Sequence, residues 1–245
     1  MILRRLELAL AGLLSALLLG ACGGGGGGDG GAPAPVASTL SFDLSVPFQD
    51  RITSGATNNF KITGTCVGTA TITTSAAVDV APPFEGLGTH ASPQTSTIHL
   101  DFCPAGLGLA SGTDTGKTYF DTNYMPVGLH IDGSGGEYAK YQAPPTGLPL
   151  TAKVRDSGDI VTLTTYKDSP TTPPTGKRVL SYVIEADTAT TAIANMVTRS
   201  YNVGGTLLAT EQTRYRMAAD GSLTMVSINV DSVSPKEFSL VYTPQ

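Results

Sequence analysis

Two short segments of the chain share the same arrangement of a histidine and an aspartate. They are His99-Leu100-Asp101 and His130-Ile131-Asp132, and each separates its two polar residues by one aliphatic residue. On a β-strand, positions i and i+2 lie on the same face, so each segment would present an imidazole beside a carboxylate. Two such pairs brought together could bind Zn²⁺ or supply a general base.

The alternative is that these four residues have ordinary surface or turn roles. Asp132 stands where a Gly-rich turn begins, which is a usual place for aspartate without any catalytic role. The chain also contains only 3 histidines. We therefore assign no metal site and keep His99, Asp101, His130 and Asp132 only as candidate ligands.

Three arginines form a second candidate site. Arg214 and Arg216 would share one face of a predicted strand, and Arg199 lies on the strand before it. Together they could bind a phosphate or carboxylate on a lipid, a glycan or a partner protein. The alternative is a solvated outer face opposite Tyr215 and Met217, and the alternation of apolar residues favours it.

Signatures of catalysis are missing from the sequence. It has no Gly-x-Ser-x-Gly elbow and no Cys-x-x-Cys zinc pair, and Gly116-Lys117-Thr118 lacks the first glycine that a phosphate loop requires. The formal net charge of −5 is scattered along the chain and gives no basic patch for nucleic acid. We expect no catalytic residues, no cofactor and no nucleic-acid partner.

The N-terminal segment predicts export. Arg4 and Arg5 precede an apolar run, Leu8 to Ala21, which is shorter than the roughly 20 residues of a membrane span and matches a secretory signal. Its end, Leu19-Gly20-Ala21-Cys22, resembles the lipobox of bacterial lipoproteins. The resemblance covers residues 1–22 only, and the remainder resembles no family.

The resemblance implies that residues 1–21 are a signal peptide and that Cys22 carries a diacylglycerol. Residues 22–37 would then be a lipidated cysteine followed by a Gly-rich tether, with a typical span of about 20–23 Å. It also implies a membrane-anchored protein of the bacterial cell envelope, at the outer membrane and facing either the periplasm or the surface. The alternative is an ordinary signal cleaved after Ala21 that leaves a free thiol.

Lipidation of Cys22 would leave two cysteines, Cys66 and Cys103, in an oxidising compartment. We predict a disulfide between them, which would stabilise the fold by roughly 4 kcal/mol on the chain-entropy model. Two buried free thiols are the alternative.

The predicted fold is all-β, an antiparallel meander or sandwich of short hairpin-connected strands. Apolar residues alternate with polar ones from Leu40 to Phe48, and glycine turns divide the second half into closely spaced strands. We expect a hairpin around Asp132–Gly136 and a Gly-rich loop from Pro104 to Thr118. A Pro-rich seam near Pro144–Pro149 suggests an N-terminal region, 38–145, and a C-terminal meander, 146–245, unless 38–245 is one domain.

These observations favour a non-catalytic binding or scaffolding domain. Its partners would be the membrane, through the N-terminal lipid, and an envelope protein, a glycan or a lipid. The alternative from another class is a carrier that holds an apolar ligand in a curled sheet or barrel. A metal-dependent hydrolase that uses the His-x-Asp pairs is the least favoured hypothesis.

Overall fold

The computed structural model describes residues 34–132 and 136–245. The signal peptide, Cys22 and most of the predicted tether lie outside the described residues. Within these ranges the elements are α1 (Ser45–Ser54), β1 (Ala56–Gly64), β2 (Val67–Thr74), β3 (Val78–Phe84), β4 (Gly88–Phe102), β5 (Gly112–Phe120), β6 (Pro126–Ile131), β7 (Glu137–Tyr141), β8 (Ser157–Tyr166), β9 (Pro174–Ala186), β10 (Thr191–Asn202), β11 (Leu207–Ala218), β12 (Leu223–Ser232) and β13 (Phe238–Pro244).

The strands form a closed antiparallel barrel. Strands β4 to β13 pair in sequence order, β13 pairs with β1, β1 with β2, and β2 with β4. Twelve strands therefore complete the ring, and β3 is an extra strand attached to the edge of β4. Closure leaves few unpaired strand edges, which open sheets must otherwise protect. The predicted all-β, hairpin-connected antiparallel fold is confirmed.

The barrel has an apolar interior because its strands alternate in period 2. In β1, Phe60 and Ile62 are fully buried, whereas Asn59 and Lys61, on either side of Phe60, are exposed. The buried residues form two clusters on different walls. One is centred on β8–β11 with α1, and the other on β1, β2, β12 and β13.

The disulfide prediction is confirmed. Cys66 and Cys103 are bonded, with their Cα atoms 4.4 Å apart. They lie at the ends of the paired strands β2 and β4, where Val67 is opposite Phe102. The bond therefore closes the ring covalently at the point where the strand order departs from the sequence order.

The predicted strand from Leu40 to Phe48 is wrong, because α1 begins at Ser45. The carboxylate of Asp43 accepts a hydrogen bond from the backbone N–H of Val46, and Pro47 occupies the first turn, where its missing N–H costs nothing. Leu44 and Phe48 are both buried, at the i, i+4 spacing that places two residues on one helix face. An every-second-residue pattern contains this spacing as well, so alternation alone could not distinguish the two structures.

Two further sequence expectations have mixed outcomes. The Gly-rich loop expected from Pro104 to Thr118 ends early, because β5 begins at Gly112 and its threonines alternate as strand residues. The expected hairpin around Asp132–Gly136 is present as β6 and β7, which pair from Gly128–Lys140 to Ile131–Glu137. Its turn, 133–135, lies outside the described residues.

Strands from both sides of the expected seam at 144–149 join the same barrel, and this seam lies in the connection from β7 to β8. The connection crosses one end of the barrel beside α1, where the Leu44 N–H bonds the Pro149 carbonyl at 3.2 Å. The segment before α1 is attached at the same end. Val36 pairs with Asp187, which follows β9, and Phe42 pairs with Ala152.

Candidate functional site

The interior of the barrel contains a cavity of about 180 Å³ beneath α1. One wall comes from the β1, β2, β12 and β13 cluster, with Phe60, Ile72 and Ile228. The opposite wall comes from the other cluster and includes Leu180 and Met196. For comparison, an engineered apolar cavity of about 150 Å³ binds benzene. The cavity therefore has the size and lining for a small apolar molecule or a short acyl chain.

The number of strands accounts for this space. A barrel of about 8 strands has an interior that side chains just fill, and the diameter grows with strand number. Here 12 strands close the ring, and several inward positions carry small residues, such as Ala192 and Ala194 of β10. The two side-chain clusters consequently pack against separate walls and leave space between them.

Helix α1 closes the cavity at one end. Its residues Phe48, Arg51 and Ile52 line the cavity, and the Phe48 ring meets the Tyr215 ring edge-on, with centroids 5.3 Å apart. The helix ends at Gly55, whose N–H bonds the Arg51 carbonyl at 3.0 Å. Gly55 has φ +70°, and a Cβ there would lie 2.6 Å from the backbone N of Ala76. Only glycine fits this reversal of the chain, which leads from α1 into β1.

A small group of polar residues, called the polar group below, faces the cavity near α1. It consists of Arg51, Asn58 of β1, Thr74 of β2, Gln94 of β4 and Thr118 of β5. Thr74 is directly opposite Gln94 in the β2–β4 ladder, so these two side chains are neighbours on one wall. Among the described residues, neither amide side chain nor the Thr74 hydroxyl has a hydrogen-bond partner.

Arg51 is the cation of this polar group. Its guanidinium carbon lies 5.0 Å from the centroid of the Tyr215 ring, which itself lines the cavity. Burial raises the pKa of Tyr215, and the charge and hydrogen bond of Arg51 oppose that shift. Within the described residues Arg51 forms no ion pair with a carboxylate. An arginine at an apolar cavity without a counter-ion can bind an anion.

A second charged group lies inside the barrel, further from α1. Arg178 of β9 precedes Leu180 by two residues and is buried. Its Nε lies 2.7 Å from Glu137 Oε1 of β7. Glu211 of β11 faces the same interior space, and burial raises its pKa to about 7 although Arg178 and the Thr213 hydroxyl act in the opposite direction. This guanidinium is therefore already neutralised by the protein's own carboxylates.

The two His-x-Asp segments are not brought together. Each pairs internally, with His99 Nε2 3.2 Å from Asp101 Oδ1 and His130 Nδ1 3.8 Å from Asp132 Oδ1. Across β5, however, His130 is level with Pro93 of β4, which is six residues from His99, or about 20 Å along the strand. Within residues 34–132 and 136–245, no three His, Cys, Asp or Glu side chains are grouped as metal ligands.

The arginines of the second candidate site lie on the outer face of the barrel. Arg214 Nη2 lies 2.8 Å from Glu185 Oε2, and Arg216 Nε lies 2.6 Å from Asp187 Oδ2. Arg216 lowers the pKa of Asp187 through this hydrogen bond. Carboxylates from β9 and the turn after it thus neutralise both cations. Arg199 lies on β10 opposite Thr210, and the three arginines do not form a basic patch.

The polar group near α1 was not predicted from the sequence, because its residues come from α1 and from four separate strands. Arg51 could have been found only if residues 45–54 had been recognised as a helix. Asn58, Thr74 and Gln94 carry a weaker signal, since each occupies an inward position of its strand where an apolar residue is usual.

No family model matches the chain, and neither the curated proteins nor the solved structures yielded a match. In the part of the chain that the structure describes, no helix has the length and apolar character required to span a bilayer. A closed antiparallel barrel with an interior cavity is compatible with a binding or ligand-carrier domain.

Proposed function

We propose that the protein is a non-catalytic binding protein that carries a small apolar ligand in the cavity beneath α1. The observation that supports the proposal is the cavity of about 180 Å³ between two well-packed apolar clusters. Protein interiors are normally packed to the density of organic crystals. Unfilled apolar space deprives its lining side chains of packing contacts, which costs stability. A bound apolar molecule would offset this cost.

The cavity distinguishes a carrier from a scaffold. A scaffolding domain needs a rigid outer surface and gains nothing from unfilled space in its core. The His-x-Asp pairs, in turn, do not support a hydrolase, because both lie on the outside of the barrel and far apart. The carrier function is therefore favoured over the other two hypotheses.

We also propose that the carrier is a lipoprotein of the bacterial cell envelope. This part rests on the lipobox-like segment at Leu19–Cys22 and the Gly-rich run behind it. A lipid anchor on Cys22 would hold the barrel near a bilayer, which is a source of apolar molecules. Two acyl chains or more are required for stable anchoring.

The experiment combines native mass spectrometry of the purified protein with calorimetric titration of octan-1-ol, a neutral single-chain ligand. The cavity is blocked by Ala56→Phe, because Ala56 lines it at the start of β1. The control is Thr57→Phe, which adds the same ring at the adjacent, exposed position.

We expect the wild type and Thr57→Phe to bind octan-1-ol with equal affinity, and Ala56→Phe to lose at least about tenfold in affinity. A co-purified apolar molecule should be present in the first two proteins and absent from the third. Absence of binding by folded wild-type protein, or equal binding by Ala56→Phe, would contradict the proposal.

A further inference from the structure

We infer that the ligand is an anionic amphiphile, an acyl chain with a carboxylate or phosphate head, and that Arg51 binds this head at the end of the cavity closed by α1. The inference rests on the proposed carrier function and adds the chemical class of the ligand.

The two arginines that face the barrel interior differ in whether a carboxylate neutralises them. Arg178 is held by both oxygens of Glu137, at 2.7 Å each, so its charge is satisfied by the protein. Arg51 has a tyrosine ring beside it instead of a carboxylate. A guanidinium stacked on an aromatic ring retains N–H donors for a planar, bidentate acceptor. Arg51 is therefore the interior arginine that is available to a ligand anion.

A group of neutral hydrogen-bond donors faces the same end of the cavity. Asn58 and Gln94 contribute amide N–H groups and Thr74 contributes a hydroxyl, and none has a hydrogen-bond partner among the described residues. A carboxylate or phosphate offers several acceptor lone pairs and can use these donors together with the guanidinium. A neutral apolar ligand would leave all of them unused.

The charged and amide side chains that line the cavity are grouped at one end of it. The polar group lies beside α1, whereas Phe60, Leu180 and Ile228 form an apolar wall. Thr213 lies beside this wall, and its hydroxyl is directed to Glu211 Oε1 at 3.5 Å. An amphiphile with its tail among the three apolar residues would have its head level with Arg51. Ligand pockets commonly combine an apolar body with a few polar groups that fix orientation.

The experiment compares ligands of equal chain length by calorimetric titration at constant pH and ionic strength. Octanoate and octyl phosphate carry the two anionic heads, octan-1-ol is the neutral reference, and octyltrimethylammonium is the cationic one. We expect the wild type to bind at least one anion about tenfold or more tightly than octan-1-ol, because hydrogen bonds to charged groups are the strong ones. The cation should bind more weakly than the alcohol. Octanoate and octyl phosphate together show which head the site selects.

Arg51→Gln should abolish the preference for the anion, so that octanoate and octyl phosphate bind no more tightly than octan-1-ol. Arg51→Lys should retain a clear preference, since it keeps the charge and loses only the bidentate geometry. Arg199→Gln is the matched control, because it removes an arginine from the outer face of β10. It should bind all four ligands as the wild type does.

The outcomes separate this inference from the proposed function. Equal binding of anions and octan-1-ol by the wild type would overturn the inference and leave the carrier function standing. An unchanged anion preference in Arg51→Gln would do the same. If no ligand binds, both fail. The comparison of ligands on the wild type requires no variant, so it remains decisive even if a substitution prevents folding.

Discussion

The guanidinium of Arg51 lies over the ring of Tyr215, with its carbon 5.0 Å from the ring centroid. Phe48, one helical turn earlier, packs edge-on against the same tyrosine, and the two ring centroids are 5.3 Å apart. One side chain of β11 therefore holds two residues of α1, and the helix is fixed to the barrel at the mouth of the cavity.

Tyr215→Leu should lower the free energy of unfolding by about 2 kcal/mol. It removes an aromatic pair worth about 0.5–1.5 kcal/mol and a cation–π contact worth about 0.5–1 kcal/mol, and it leaves space in the core. Urea denaturation followed by circular dichroism measures the change.

The matched control is Tyr201→Leu, since Lys177 lies 5.4 Å from the centroid of the Tyr201 ring in a more exposed position. Tyr201→Leu should lower the free energy of unfolding by less than about 1 kcal/mol, because an exposed cation–π contact is weak. Equal losses in the two variants would show that Tyr215 does not hold the helix.

Gly55→Ala should destabilise the protein by more than about 2 kcal/mol. The residue has φ +70° and ψ 176°, a region essentially restricted to glycine that costs another residue about 1–3 kcal/mol, and the new methyl group would approach the Ala76 backbone N at 2.6 Å. The shift in the urea midpoint at constant slope gives the loss.

Gly86→Ala serves as the control for a positive φ without crowding, because Gly86 has φ +80° and open space around a Cβ. The additional loss in Gly55→Ala gives the combined cost of its ψ of 176° and of the close approach at the helix end. If Gly55→Ala were no worse than Gly86→Ala, the tight reversal from α1 into β1 would not matter for stability.

Stability should fall as the pH rises from about 4.5 to about 7, through the titration of Glu211. Burial raises the pKa of Glu211 in the folded protein to about 7, from 4.5 in the unfolded chain. A raised carboxyl pKa means that the folded state holds its proton more tightly. The stabilising effect is complete below the unfolded pKa and is lost as the pH passes through the folded one. The contribution is at most about 3 to 4 kcal/mol, since one pKa unit corresponds to about 1.4 kcal/mol.

The measurement is the free energy of unfolding at pH 5 and pH 8 for the wild type, Glu211→Gln and the exposed control Glu237→Gln. Glu211→Gln should show a smaller loss between the two pH values than either of the other proteins. The same loss in all three would exclude Glu211 as the titrating group.

Replacing both cysteines, as Cys66→Ala with Cys103→Ala, should lower the free energy of unfolding by roughly 4 kcal/mol. The bond closes a chain segment with a sequence separation of 37, and its removal restores that segment's freedom in the unfolded state. The loss should match that of wild-type protein unfolded with a reducing agent present. A cost below about 1 kcal/mol would mean that the pairing of β2 with β4 is stable without the bond.

Cys22→Ala should release the protein from the membrane fraction of the producing bacterium. Lipid labelling with radioactive palmitate should be lost at the same time, because the thiol is the proposed site of the diacylglycerol. A protein that fractionates with membranes in both forms, or carries no label in the wild type, would contradict the lipoprotein proposal.

The fold class could be predicted from the sequence, because the alternation of residues along a strand is a local signal. In β12, Val226 and Ile228 alternate with Ser227 and Asn229, and glycine turns separate the strands of the second half. The Cys66–Cys103 pairing also followed from cysteine number and compartment. Closure of the ring could not be predicted, because it depends on pairs such as Phe60 with Pro244, which are far apart in the chain.

The candidate site was harder to predict for the same reason. Arg51 belongs to a helix whose first buried residues, Leu44 and Phe48, also fit a strand pattern. Asn58 and Gln94 become neighbours of the cavity only after β1, β2 and β4 assemble. The His-x-Asp pairs, by contrast, were visible because their members are adjacent in sequence, and that adjacency carries no information on whether two pairs meet.

If Cys22 carries the proposed lipid, the bridge between Val36 and Asp187 determines which pole of the barrel is nearest to that lipid. It ties the start of the described chain to the rim that α1 covers, so a lipid on Cys22 would turn this rim toward the bilayer and the opposite pole away from it. A molecule leaving the lipid phase would then first meet the end of the barrel where Arg51 lines the cavity, and its entry would require movement of α1.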